Sequence, residues 1–216
     1  MRTDCNICNE ICMGESPTHG SVYADMVKNG TNVIAKTENL LIIPSIGPLN
    51  ASHVMIVPKE HVNSFESLPE LKAEKIELIG QLRNYYFDAF EEKLIFFESG
   101  AGKLISHSGG CIIHAHIHAV TSQQGFDERL FSEVDLVSLK TASLEADLNY
   151  GYIWYSNVDS EEYLANNPML PSQFMRYTYA QGSSNNLLWN WRRHGNISGV
   201  QQVIDNYKAF LSWQKK

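Results

Sequence analysis

Short hydrophobic runs bounded by turn residues recur along most of the chain, and this pattern is typical of strands. The pair Glu38-Asn39 separates two of these runs and predicts a hairpin. The Gly47-Pro48 step then breaks the chain before the next run. In total the pattern predicts strands at Asn32–Thr37, Leu40–Pro44, His53–Val57, Leu94–Glu98, Ile112–Val120 and Tyr150–Val158.

Other segments have helical features. Ser67-Leu68-Pro69-Glu70 has the spacing of a capping box and an early proline, so we expect a helix to start there. Apolar residues then recur at helical spacing toward Lys93: Leu71, Leu78, Leu82, Tyr85 and Ala89. Three later segments are also predicted to be helical or to enter a helix: Gly125–Asn149, Leu170–Gln173 and Val200–Trp213. Hairpins mixed with separate helices predict an antiparallel α+β fold.

The composition is that of an ordinary globular protein. The 216 residues are 44% hydrophobic and 19% charged, enough to fill a core. The formal net charge of −7 argues against binding to duplex nucleic acid, which usually needs clustered Lys and Arg. A mononucleotide is not excluded, because a small anion needs only a local positive site.

The sequence also suggests where the protein is located and whether its cysteines form disulfides. No apolar stretch approaches the roughly 20 residues that span a bilayer, and the N-terminus lacks a signal-peptide core. We therefore expect a cytoplasmic protein without membrane contacts. In a reducing compartment four cysteines rarely form disulfides, so Cys5-Asn6-Ile7-Cys8 is interpreted as a metal or redox pair.

The segment His114-Ala115-His116-Ile117-His118 carries the clearest chemical signal. Successive side chains of a strand point to opposite faces, so the three imidazoles are predicted to share one face. The small aliphatic residues between them suit packing against a helix. Three interpretations compete: histidines without a role, a three-histidine site for zinc or iron, and nucleophilic attack by a neutral imidazole on phosphorus.

His114–Val120 resembles the histidine-triad signature, in which His-x-His-x-His is followed by two apolar residues. Pro48–His61 is similar to the family's strand segment, a histidine and an aliphatic run before Pro-Lys-x-His. Phe97–Gly100 and Gly109–Cys111 match a strand end and a Gly-rich approach to the triad. The tail, with Pro171–Arg176 and Trp189–Arg192, is similar to that of longer bacterial members.

This resemblance implies a fold and a domain organisation. We expect a histidine-triad-like antiparallel sheet with flanking helices, followed by a helical and aromatic C-terminal extension. Residues 1–122 would form the catalytic domain, and residues 123–216 would form the extension, packed on the same domain. The extension could shape an acceptor pocket, cover the sheet or build a homodimer interface.

The resemblance also implies catalytic roles. His116 would be the nucleophile, and His118 would orient the phosphate or select the tautomer of His116. His107 would donate a proton to the leaving group, although an exposed loop histidine without a role is an equal alternative. The remaining implied phosphate contacts are the polar Ser108 and the backbone N–H groups of Gly109, Gly110 and Cys111.

One position departs from the family pattern. Many relatives carry an acidic residue before the Gly-Pro turn, where it binds the ribose hydroxyls. Ser45 stands nearest that position here, and a serine cannot reproduce a bidentate carboxylate. Nucleoside binding is therefore expected to be weaker or to be arranged differently.

Zinc-containing relatives imply a metal site. In them a Cys-x-x-Cys pair is completed by the histidine after Pro-Lys and by the first triad histidine. These positions correspond to Cys5, Cys8, His61 and His114, which would hold a structural zinc. His53 in place of His61, or Cys12 in place of either cysteine, remains an alternative, as do two unligated thiols.

The predicted function is hydrolysis or transfer of a nucleoside monophosphate group through a covalent nucleotidyl-histidine. The substrate would be a nucleoside phosphate ester, anhydride or phosphoramidate. Two alternatives stay open: a nucleotide-binding scaffold of the same fold, and a three-histidine metallohydrolase.

Overall fold

The computed structural model describes residues 4–16, 21–104, 112–183, 189–193 and 196–215. Its centre is an antiparallel sheet with the strand order β1-β2-β3-β5-β4-β7-β8-β6. The eight strands found in the described residues are β1 Ala35–Lys36, β2 Leu40–Pro44, β3 Val54–Pro58, β4 Leu94–Gly100, β5 Ile117–Thr121, β6 Val137–Ser138, β7 Tyr152–Ser156 and β8 Glu162–Asn166.

Helices precede, interrupt and follow the strands. In chain order they are α1 Asn6–Cys8, α2 Val22–Asn29, α3 Lys72–Phe90, α4 Phe126–Glu133, α5 Phe174–Ala180, α6 Ile197–Tyr207 and α7 Phe210–Trp213. A π-helical turn, Asn9–Met13, extends α1. The predicted α+β class, with an antiparallel sheet and a helical C-terminal region, is confirmed. None of the described helices has the length and hydropathy needed to cross a membrane.

The long helix begins differently from the prediction. A 3₁₀ turn, Pro69–Leu71, leads into α3, and no side chain caps either element. The Ser67 hydroxyl lies 3.0 Å from the hydroxyl of Ser64 instead. Leu78, Leu82 and Tyr85 are buried as predicted. Ala89 is exposed, contrary to the prediction.

Two further segments differ in extent from the prediction, and one strand was not predicted. The segment Gly125–Asn149 is helical only in α4, after which Val134 is extended and an irregular stretch leads to β6. The predicted helix Val200–Trp213 is divided into α6 and α7 near Lys208. Strand β8 was not predicted, since its five residues carry polar groups at both ends.

The sheet is buried on both faces. In β4, Phe96 faces α3, whereas Phe97 packs against the α4 and α5 side. In β5, Ile117 and Ala119 contribute to the α3 side, as the aliphatic spacing predicted. A separate cluster packs Cys5, Ile7 and Cys8 against strands β2 and β3. The N-terminal cysteines are thereby placed beside the approach to β5.

The central strand β4 joins the two halves of the chain. It pairs with β5 on one side, where Phe97 lies opposite His118. On the other side it pairs with β7 over five positions, from Phe96 to Gly100. Residues after 122 therefore continue the same sheet.

Candidate active site and metal site

The three triad histidines divide between two sites. Strand β5 begins at Ile117, so His118 lies on the strand while His114 and His116 precede it. A backbone bond of 2.7 Å from the Ala115 N–H to the Val62 carbonyl positions this segment. His116 and His118 line one cavity, whereas His114 turns toward Cys5 and Cys8. The predicted alternation is nevertheless kept, since Ala115, Ile117 and Ala119 all belong to the core cluster on the α3 side.

A chain of hydrogen bonds determines the tautomer of His118. The Leu49 N–H donates to Nδ1 of His53 at 3.0 Å, so a neutral His53 carries its proton on Nε2. That Nε2–H donates to Nδ1 of His118 at 2.8 Å. His118 therefore carries its own proton on Nε2, where it is a donor.

His116 has the opposite tautomer. Its Nδ1 lies 2.8 Å from the backbone carbonyl of His114, which can only accept, so Nδ1 carries the proton. The lone pair is then on Nε2, the atom available to a ligand. The rings of His116 and His118 meet edge to face, with centroids 4.7 Å apart.

Burial keeps these imidazoles neutral. It lowers the pKa of His116, and it lowers the pKa of His53 and of His118 well below 6.5. The nearby Arg176 cation lowers the pKa of all three further. A neutral imidazole with a lone pair on Nε2 is a competent nucleophile.

The cavity has a volume of about 50 Å³ and is lined by both halves of the chain. Residues up to position 118 contribute four apolar side chains, two serines and the two histidines, and the C-terminal part contributes both polar and apolar side chains. The lining residues are Ser45, Ile46, Met55, Phe97, Ser99, Ile112, His116, His118, Gln173, Met175, Arg176 and Trp191.

Ser45 is buried, and its hydroxyl accepts a hydrogen bond from Nη1 of Arg176 at 3.3 Å. The same guanidinium donates through Nη2 to the Gly47 carbonyl at 2.6 Å. Close packing accompanies this contact, since a Cβ at Gly47 would lie 2.6 Å from Cβ of Trp191. A guanidinium thus reaches the place where the family resemblance led us to look for a carboxylate.

A second cluster brings together Cys5, Cys8, His61 and His114, whose ligand atoms all lie within 4.8 Å of one another. The Sγ of Cys8 is 3.2 Å from Nδ1 of His61 and 3.5 Å from Nδ1 of His114. The Sγ of Cys5 is 3.6 Å from the same His114 nitrogen. A tetrahedral zinc, with bonds of about 2.3 Å to sulfur and 2.05 Å to nitrogen, separates such atoms by about 3.5 Å.

The tautomer of His114 also suits a metal. Its Nε2 donates to the Pro58 carbonyl at 2.9 Å, so the lone pair is on Nδ1, which faces both cysteines. Neither of the alternative ligands belongs to this cluster. His53 bonds to His118, and Cys12 is exposed.

Five of the predicted site residues lie outside the described residues: His107, Ser108, Gly109, Gly110 and Cys111. Their predicted roles in proton donation and phosphate binding stay predictions.

The sequence reasoning missed four residues of the cavity region. His53 was considered only as a metal ligand, and its place before an apolar strand could have suggested the bond to His118. Arg176, Gln173 and Trp191 come from the C-terminal part, and no local pattern connects them to residues more than 100 positions earlier.

Comparison with solved structures finds proteins with related parts. A histidine triad (HIT) family protein from Bacillus anthracis is 16% identical over 56% of this chain and 74% of its own, with a TM-score of 0.42. A HIT family member from Bacillus subtilis is 18% identical over 55% and 72%, with a TM-score of 0.41. A Zn-bound histidine triad family protein from Mycobacterium smegmatis is 20% identical over 49% and 77%, with a TM-score of 0.38. No curated protein matches the chain.

The antiparallel sheet and the paired histidines beside a cavity define a protein of the histidine triad class. The family model described as "Scavenger mRNA decapping enzyme C-term binding" matches residues 14–130, more than half of the chain. The chain belongs to this histidine triad family, whose members include nucleotide-binding proteins and hydrolases.

Proposed function

We propose that this protein is a nucleotide hydrolase or nucleotidyltransferase that works through a covalent nucleotidyl-His116 intermediate. The observation that carries the proposal is the opposite tautomers of the paired imidazoles. His116 presents a lone pair on Nε2, and His118 presents an N–H on Nε2, beside one cavity.

The reaction would proceed in two displacements. Nε2 of His116 attacks the phosphorus atom of a nucleoside phosphate, a P–N bond forms, and the bond from phosphorus to the leaving group breaks. Water or a second acceptor then attacks phosphorus and releases the imidazole. His118 donates a hydrogen bond to a non-bridging oxygen, where negative charge develops. The proton for the leaving group is assigned to His107.

Two alternatives are supported less well. A three-histidine metallohydrolase needs all three triad imidazoles around one ion, but His114 faces the cysteines. A scaffold without turnover would have no need for two imidazoles in complementary tautomers.

Trapping of the intermediate tests the proposal. Wild-type protein is incubated with adenylated, guanylated and uridylated phosphoramidates and dinucleoside polyphosphates, and its intact mass is measured after an alkaline quench. We expect a mass increase of one nucleoside monophosphate in the wild type and none in His116→Asn. The variant should lose at least ~10³-fold in kcat/KM, because it lacks the nucleophile.

Each alternative predicts a different result. Turnover that survives in His116→Asn would contradict the covalent mechanism. Equal nucleotide binding without turnover in either protein would favour the scaffold. Immediate loss of activity on addition of a chelator would favour the metallohydrolase.

We further propose that the cluster of Cys5, Cys8, His61 and His114 holds a structural zinc ion. The donor set of two thiolates and two imidazoles is typical of closed zinc sites. The nitrogen-to-sulfur distances of 3.2–3.6 Å suit a tetrahedral ion. When bound, zinc would tie the N-terminal helix to the segment before β5 and thereby support His116.

Metal analysis of purified protein tests the zinc proposal. We expect about one zinc per wild-type chain, loss of zinc in Cys5→Ser, and retention in the control Cys12→Ser, which changes an exposed cysteine. Without zinc, Cys5→Ser should lose about 3 kcal/mol of stabilisation, which would lower its Tm by roughly 6–12 °C. Wild-type protein without stoichiometric zinc, or a Cys5→Ser variant that keeps it, would contradict the site.

A further inference from the structure

The cavity beside His116 is positively charged, although the whole chain has a net charge of −7. Among the described residues that line it, Arg176 carries a full charge and none is aspartate or glutamate. A cationic cavity in an acidic protein favours an anionic ligand.

Arg176 is held in position by neutral acceptors. Its Nε donates to the Trp189 carbonyl at 2.9 Å, in addition to the bonds to Gly47 and Ser45. The residue is only 4% exposed. Its charge lies beside the reacting groups, since Arg176 lines the same cavity as His116 and His118.

Gln173 brings a second polar group from the same part of the chain. It lies just before α5 in the left-handed region, at φ 63°, a conformation that non-glycine residues rarely adopt. Its Oε1 is buried and has no hydrogen-bond partner in the described structure. Both Gln173 and Arg176 lie outside the family-matched residues 14–130.

The size of the cavity points to a small ligand group. About 50 Å³ is far below the roughly 300–1,000 Å³ of pockets that enclose a whole organic ligand. A single phosphoryl group is of the appropriate size.

We propose that Arg176 is a substrate-binding residue supplied by the C-terminal extension, and that its guanidinium binds the anionic oxygens of the phosphate group beside His116. The inference rests on the proposed function for the identity of the phosphate as the group that reacts. The planar fork of donors matches two phosphate oxygens. The extension thereby completes the phosphate site of the family domain.

Binding of inorganic phosphate tests the inference without any assumption about the base. The imidazole ¹⁵N and ¹H signals of the protein are followed by NMR during a phosphate titration, with chloride at equal ionic strength as reference. We expect phosphate to shift the His116 and His118 signals in the wild type. Arg176→Gln should weaken binding by about 10- to 100-fold. Arg193→Gln, which removes an exposed charge from the same part of the chain, should bind like the wild type.

A purely structural role for Arg176 gives another result, namely a lower Tm with unchanged phosphate affinity of the folded fraction. That result would overturn the inference, and so would a wild type that does not distinguish phosphate from chloride. If Arg176→Gln does not fold, Arg176→Lys replaces it, since it keeps the charge and loses the fork. Wild-type affinity in the lysine variant would also overturn the inference.

The inference and the proposed function can fail separately. Phosphate binding is measured in His116→Asn as well, where no covalent step occurs. If this variant binds phosphate in an Arg176-dependent way but the wild type forms no intermediate, the phosphate site stands and the covalent mechanism falls. If an intermediate forms and Arg176→Gln binds phosphate normally, the covalent mechanism stands and the role of Arg176 in phosphate binding falls.

Discussion

The imidazole of His53 shows how one buried residue can control another. Its Nδ1 accepts a hydrogen bond from the Leu49 backbone N–H, and its Nε2–H donates a hydrogen bond to Nδ1 of His118. It is fully buried and does not line the cavity, so it acts through His118 as a positioning residue. A misplacement of a catalytic group by about 1 Å can lower a rate by about 100-fold.

Replacement of His53 is therefore expected to affect the rate more than binding. His53→Ala removes the donor to Nδ1 of His118, and kcat should fall by about 100-fold with little change in KM. His53→Gln should recover part of the rate, since its amide can donate from a similar position. Steady-state kinetics and Tm are measured for both variants. An unchanged kcat in His53→Ala, or a loss in both variants that follows Tm alone, would contradict the role.

The turn between β2 and β3 is the element through which the C-terminal part contacts the cavity. Gly47 accepts from Arg176 and packs against Trp191, and Asn50 donates to the hydroxyl of Tyr179 in α5 at 2.7 Å. The turn thus holds the side of the cavity that carries Arg176.

Gly47→Ala tests this packing. The new Cβ would lie 2.6 Å from Cβ of Trp191, so one segment must shift, and we expect a loss of about 1–3 kcal/mol in the free energy of unfolding. Gly80→Ala is the control. A Cβ there would meet no atom within 4 Å outside the adjacent helix backbone, and alanine in a helix should stabilise by about 0.5–1 kcal/mol. Urea denaturation measures both, and equal effects would show that Trp191 does not pack there.

Some of these elements could be predicted from the sequence, and others could not. Strands β2, β3, β4 and β7 were predictable because each is a hydrophobic run between turn residues, buried on both faces. The metal cluster was suggested by a family pattern that assigns residues far apart in the chain. The Arg176–Ser45 contact spans 131 positions and depends on the packing of α5, so no local pattern encodes it.

At the scale of the whole molecule, buried ionisable groups make stability depend on pH. Burial raises the pKa of Glu98 from 4.5 to about 7. It accepts hydrogen bonds from the Phe65 N–H at 2.8 Å and from the Tyr152 hydroxyl at 2.6 Å. Since its folded pKa is above the unfolded one, its contribution is complete below pH 4.5 and is lost as the pH rises through 7. His53 and His118 act in the opposite direction, and their contribution is lost as the pH falls below 6.5.

Glu98→Gln is expected to remove the loss of stability that occurs as the pH rises toward 7. The amide keeps an acceptor for Phe65 and can donate to Tyr152, but it does not titrate. Between pH 4.5 and 7.5 the free energy of unfolding of the wild type should fall by about 3 kcal/mol more than that of the variant. Urea unfolding at each pH measures the difference, with Glu133→Gln, at an exposed position, as control. A variant with the wild-type slope would refute the assignment.

The pairing of β4 with β7 has a practical consequence for protein production. A fragment that ends where the family match ends, at residue 130, would lack β7 and leave the backbone groups of Leu94–Gly100 bare along one side. An uncovered central strand this apolar is a template for intermolecular pairing. If such a truncated chain is insoluble, the cause would be the missing strand β7 and not a defect in the triad segment. Assays should therefore use the full 216-residue chain.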